Sequence, residues 1–131
     1  MFDFSRFLDV ANVLSQVNDE AYIRSAISRY YYAIFCCIRR YLIEIKGEFE
    51  FEDGFKVHSR ISKRLISSDD DTERCLGEAL SDLREIRNRA DYDWRNGDLS
   101  FFKENLSDVK KESELALTQI ESLKNFPPYK I

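Results

Sequence analysis

The segment that decides the fold is Ile23–Gly47, IRSAISRYYYAIFCCIRRYLIEIKG. Within it Ile23, Ile27, Tyr30, Ile34, Ile38, Tyr41 and Ile45 recur at spacings of four, three, four, four, three and four, the period of an α-helix with a buried stripe. Tyr31, Phe35 and Leu42 widen that stripe, so the helix meets several neighbours and becomes the centre of the fold. Gly47 stands where a C-cap is expected. Ahead of the helix, Asn18-Asp19-Glu20 supply a capping side chain and first-turn acid.

Working outward, Phe4, Phe7, Leu8, Ala11, Val13, Leu14 and Val17 predict a first helix over about Phe2–Val17. Glu48–Phe55, charged and aromatic around Gly54, reads as a loop before a shorter basic helix over about Lys56–Ile66. The polar run Ser67–Asp71 suits the cap of a fourth helix, about Thr72–Tyr92. Asp93–Asp98 contains Asn96-Gly97, a turn signal. A last helix over about Leu99–Lys124 buries Phe102, Leu106, Val109, Ala116, Ile120 and Leu123, and Pro127-Pro128 ends it before a short tail at about 126–131. The expectation is one all-α domain over 1–131, an antiparallel bundle of about five helices.

Composition agrees with that outline. A chain of 131 residues that is 44% hydrophobic and 14% aromatic holds one real core and is too short for two. Its four Gly and two Pro interrupt few helices, and both prolines lie in the last five residues. Three cysteines, two of them adjacent at Cys36 and Cys37, make no disulfide framework. No secretory leader and no apolar run near membrane-spanning length are read, so a cytoplasmic protein without a membrane span is expected. A net charge of −4 argues against coating nucleic acid by bulk electrostatics. Basic groups are nevertheless concentrated at Arg60, Lys63 and Arg64 and at Arg84, Arg87, Arg89 and Arg95.

The chemically informative segment is LREIRNRADYDW, Leu83–Trp94. At about 100° per residue, Leu76, Leu80, Leu83, Ile86 and Ala90 share one side of the helix, with Arg87 between Leu80 and Leu83. A guanidinium keeps its charge, so on an inward face it is paired or lines a polar cleft. Asp91, one turn on, is placed to pair with it, and Asn88 and Arg84 extend the polar strip. Tyr30, Tyr31 and Tyr32 point about 100° apart, so Tyr30 and Tyr31 mostly fill the core and dimer seam while only Tyr32 faces the side of Arg29. His58, the single imidazole, is read as structural. One His and three cysteines without ligand spacing build no metal site, and no cofactor is expected.

Two segments, Ala26-Ile27-Ser28-Arg29-Tyr30-Tyr31-Tyr32-Ala33-Ile34-Phe35 and Arg87-Asn88-Arg89-Ala90-Asp91-Tyr92, resemble in order and spacing the Ser-Arg-x-Tyr-Tyr-Ala-x-Phe and Arg-Asn-x-Ala-Asp-Tyr segments of HEPN domains, small helical proteins of prokaryotic toxin–antitoxin and RNA-defence systems. Val57-His58-Ser59 resembles the start of that family's intervening helix and places His58 away from the arginine motif. The resemblance implies a homodimer whose fourth-helix motifs face a shared cleft. It also implies metal-independent cleavage of RNA by an Arg-x(4–6)-His pair. Here Arg87 keeps the arginine, whereas Tyr92 stands where the histidine would fall. A phenol with a reference pKa of about 10 is a poorer base at neutral pH than imidazole near 6.5. The tyrosine modified in the family corresponds to Trp94, which cannot accept a nucleotide.

On this resemblance Arg87, Asn88, Asp91 and Tyr92 are the candidate catalytic residues, with Arg87 on phosphate and Asp91 or Tyr92 handling the proton. Arg84, Arg89, Arg29 and Tyr32 are the candidate RNA-binding residues. The expected partners are a second copy of the chain, RNA and a nucleotidyltransferase-like antitoxin. Two alternatives stay open: a non-catalytic module that binds a nucleotide, RNA or protein through the same cleft, and a dimerisation domain in which Arg87 and Asp91 are architectural.

Overall fold

The computed structural model describes residues 1–124, and these form five α-helices and no strand: α1 Phe7–Leu14, α2 Glu20–Glu44, α3 Val57–Ile66, α4 Asp71–Tyr92 and α5 Leu99–Lys124. The expected stop at Pro127-Pro128 and the tail lie outside the described residues. Capping explains several boundaries. Asp19 accepts the Ala21 N–H at 2.9 Å to start α2, and Asp70 accepts the Glu73 N–H at 2.9 Å to start α4. Gly47, at φ 69°, lets the chain leave α2 while the Glu48 N–H returns to the Leu42 carbonyl at 2.9 Å.

Two boundaries differ from expectation for local reasons. The first helix is shorter than Phe2–Val17. Asp3 caps a 3₁₀ turn over Phe4–Arg6, and beyond Leu14 the Ser15 hydroxyl takes the Asn12 carbonyl at 2.8 Å, competing with helical bonding. The expected loop Glu48–Phe55 contains a second 3₁₀ turn, Phe49–Glu52. It buries Phe51, and Arg39 anchors it by donating to the Phe51 and Glu52 carbonyls at 2.7 and 2.9 Å.

As its wide apolar arc predicts, α2 is central and packs against α1, α4 and α5, while α3 packs on α4. Contacts fix the directions. Tyr41 near the end of α2 meets Glu73 at the start of α4, and Arg24 and Ser28 near the start of α2 meet Ala90 and Asp91 at the end of α4. The two helices therefore run antiparallel. Phe102 of α5 packs on Ile23, Ile27 and Ala90, so α5 opposes α4 and runs alongside α2 in the same sense. The main core is built on Tyr30, Ile34, Ile38, Leu42, Ile61, Leu65, Leu76 and Leu80.

A buried acid pins the end of the bundle remote from Arg87. Glu73, 2% exposed, accepts from the Tyr41 and Ser68 hydroxyls at 2.6 Å each and from Arg64 at 2.9 Å. Burial alone would raise its pKa, but these hydrogen bonds and the Arg64 charge outweigh it and hold the carboxyl below its ordinary value. Where α3 crosses α4, Gly77 lets the helices approach closely. A Cβ there would lie 2.9 Å from the Ile66 nitrogen and from Leu65 Cβ.

Candidate functional site

Two pairs of residues, each one helical turn apart, face each other across α2 and α4: Ser28 and Tyr32 on one side, Arg87 and Asp91 on the other. Arg87 is buried, at 8% exposure. Its Nε donates to Asp91 Oδ2 at 2.8 Å, its Nη1 to Asn88 Oδ1 at 3.0 Å, and its Nη2 to the hydroxyls of Tyr32 and, at 3.4 Å, Tyr92. Ser28 donates to the same Asp91 oxygen at 3.1 Å. The guanidinium carbon also lies over the Tyr32 ring, 4.8 Å from its centroid, and over the Tyr92 ring at 5.4 Å.

The chemistry of this cluster follows from its donors. Each phenol accepts from Arg87 and keeps its own O–H to give. A guanidinium and two hydroxyl protons thus occupy one small region, the donor set suited to a bound oxyanion. Tyr92, 69% exposed, forms the solvent side of the cluster. Among the described residues no group of three or more His, Cys, Asp or Glu is arranged to hold a metal ion.

His58 is a correction to the sequence reading. It is close to the arginine motif. Its ring stacks on Phe35 with centroids 4.0 Å apart and on Tyr31 at 5.6 Å, and meets Tyr32 edge-on at 6.0 Å. Burial, then the charges of Arg84, Arg87 and Arg39, lower its pKa to about 4, and burial strongly raises that of Tyr31. At neutral pH both groups are therefore uncharged, and the Tyr31 hydroxyl and His58 Nδ1 share a hydrogen bond of 2.5 Å. Among the described residues, the buried side-chain polar atoms without a partner are Ser62 Oγ and Ser113 Oγ.

The remaining candidates divide. Arg29 lies against the Tyr32 ring at 5.2 Å and the Phe7 ring at 4.9 Å, beside the cluster, and Tyr32 faces it as its helical position required. Arg84 and Asn88 line a groove of about 440 Å³ between α3 and α4. Arg89 departs from expectation. It points to the loop after α4, donating to the Asn96 carbonyl at 3.0 Å and lying over Phe101 at 4.1 Å. Its position, two residues from Arg87, turns it about 200° around the helix. Of the basic group on α3, Arg60 is spent on the Asp53, Phe55 and Glu50 carbonyls and Arg64 on Glu48 and Glu73, so only Lys63 borders the groove.

Ser28 is the site residue the sequence reading missed. Its signal was present: it is a hydroxyl one turn before Tyr32 on an otherwise apolar arc, and it is 7% exposed.

Fold and cluster together define an all-helical bundle that holds a buried arginine, ringed by hydroxyl, amide and carboxylate groups, between its central helix and a neighbour. No helix among the described residues is long and apolar enough to cross a membrane. The chain is 28% identical over 156 aligned positions, covering 98% of this chain and 88% of the relative, to an uncharacterized protein of the archaeon Methanocaldococcus jannaschii. No family model matches the chain. No solved structure matches it.

Proposed function

We propose that this chain is a HEPN-type protein acting on RNA: a metal-independent endoribonuclease effector of a toxin–antitoxin or phage-defence pair, working as a homodimer in the cytoplasm beside a nucleotidyltransferase-like antitoxin. The observation that supports this most is the convergence of the Arg87 guanidinium with the Tyr32 and Tyr92 hydroxyls. In the reaction proposed, the 2′-hydroxyl oxygen attacks the adjacent phosphorus and gives up its proton. The bond from phosphorus to the 5′-oxygen then breaks, and that oxygen takes a proton. The products are a 2′,3′-cyclic phosphate and a 5′-hydroxyl end.

Arg87 carries the role of meeting the charge that builds on the phosphorane oxygens. Asn88, bonded to Arg87 Nη1, orients it. Tyr92, the exposed O–H of the cluster, is assigned to donate to the leaving oxygen, and Asp91, held by Arg87 and Ser28, is the carboxylate that takes the 2′-hydroxyl proton. One observation favours a second reading, a non-catalytic module that binds RNA, a nucleotide or a protein: the single imidazole is already bonded through Nδ1 to the Tyr31 hydroxyl and is held uncharged by burial.

The test is incubation of the purified chain with RNA and end-group analysis. Cleavage leaving 2′,3′-cyclic phosphate, abolished by Arg87→Ala in a protein that keeps its helical circular dichroism, is expected. Undiminished cleavage by folded Arg87→Ala removes the assignment, and absence of cleavage with Arg87-dependent binding selects the second reading.

A further inference from the structure

We infer that the groove between α3 and α4 is a second phosphate subsite, which holds the neighbouring phosphate of the RNA strand whose reacting phosphate sits at Arg87. This inference rests on the RNA-acting reading of the arginine cluster and extends it from one residue to a track. Three observations lead to it.

The first is an unspent set of donors. Lys63 and Arg84 border the groove from opposite helices, and neither has an ion pair or side-chain hydrogen bond among the described residues. Arg24, Arg39, Arg40, Arg60 and Arg64, by contrast, are all engaged within the bundle. Two unpaired cations facing one depression repel each other unless an anion lies between them. The groove's one carboxylate, Glu85, leaves its formal charge positive.

The second is an orphaned hydroxyl. Ser62 is 9% exposed, lines the groove, and its Oγ is buried with no partner. A buried hydroxyl left unsatisfied costs about 1–3 kcal/mol, so its place under a cationic groove points to a ligand acceptor. Ser59 and Ser81 add further hydroxyls at the same surface.

The third is continuity. Asn88 lines the groove, and its Oδ1 accepts from Arg87 Nη1. One amide therefore joins the two subsites, with its Nδ2 left to donate. Phosphates bound on either side of Asn88 would be neighbours on one strand, since the amide that touches Arg87 also lines the groove.

The probe is a short single-stranded RNA with 2′-O-methyl groups, which binds but cannot be cleaved by the 2′-hydroxyl route. Its affinity is read by fluorescence anisotropy as a function of salt. The double variant Lys63→Ala, Arg84→Ala is expected to bind roughly tenfold more weakly and to lower the slope of log affinity against log salt by about 1.4, two contacts at roughly 0.7 each. Ser62→Ala is expected to weaken binding several-fold while its Tm stays level or rises. Wild-type affinity and slope in the double variant overturn the subsite, whatever binding of adenosine monophosphate the groove shows. Ser62→Ala with unchanged affinity removes its hydroxyl from the contact. Failure of the Arg87 reading is seen separately, as loss of no cleavage and no affinity in Arg87→Ala.

Discussion

The Tyr32 hydroxyl on α2 accepts from Nη2 of Arg87 on α4, and the same tyrosine ring lies beneath the guanidinium. One side chain thus fixes the arginine both by a directed bond and by its π face. This makes Tyr32 a positioning residue for Arg87 as well as a cross-link between helices.

Tyr32→Phe keeps the ring and removes the acceptor. Hydrogen bonds to charged groups contribute about 1.5–3 kcal/mol, so Tm should fall by several degrees. Cleavage should fall further than the stability loss explains, since the released guanidinium can swing toward Tyr92 and Asn88. A variant with wild-type Tm and wild-type rate would show that Tyr32 neither supports the bundle nor aims Arg87.

Tyr92→Val removes nothing from the core, because Tyr92 is exposed, but the informative change at this position is Tyr92→His. Imidazole titrates near pH 6.5, and a well-placed acid or base contributes about 100-fold or more. The expected result is a gain of that order in cleavage, with an optimum near neutral pH. Gain from a protein with no measurable activity would favour the binding module, and no gain at all would show that position 92 does not reach the reacting oxygens.

How much of this was readable beforehand depends on the kind of contact. Ile23–Gly47 specified the central helix because a period of three and four is a local signal, and the polar runs Asn18-Asp19-Glu20 and Ser67–Asp71 marked the starts of α2 and α4, where capping by Asp19 and Asp70 is confined to three residues. Arg87 and Asp91 were readable together because they share one helix face. The bond from Ser28 to Asp91, the stacking of His58 on Phe35, and the diversion of Arg89 to Asn96 depend on how separate helices or loops meet, and no spacing within one helix encodes that. Gly77 is the same case. In sequence it is one residue weakening a helix, and only the approach of Leu65 and Ile66 gives it a reason.

Gly77→Ala tests that crossing. Alanine improves helix propensity by up to about 1 kcal/mol, but its Cβ would meet backbone and Leu65 at 2.9 Å, and overpacking costs about 1–3 kcal/mol. A net loss of stability is expected in urea titration, with weaker RNA binding as α3 and α4 part and the groove widens. A stabilised variant would mean that the two helices separate freely at this point.

The pH dependence of folding follows from His58. Its pKa is lowered to about 4 in the folded protein, against an ordinary 6.5, because burial and the charges of Arg84, Arg87 and Arg39 disfavour the imidazolium. The unfolded chain therefore binds a proton as pH falls through 6.5 while the folded chain does not. The stability linked to this group is fully present above pH 6.5, declines between about 6.5 and 4, and levels off once the folded histidine titrates too. Other groups, notably Glu73 with its lowered pKa, lose their share only at more acid pH. His58→Phe retains the stack on Phe35 but has nothing to protonate. It lowers Tm at neutral pH, since Tyr31 loses its hydrogen-bond partner, and it should remove the extra decline between pH 6.5 and 5. Thermal melts of both proteins across that range check this: parallel curves would mean that the imidazole titrates normally and is not held neutral against Tyr31.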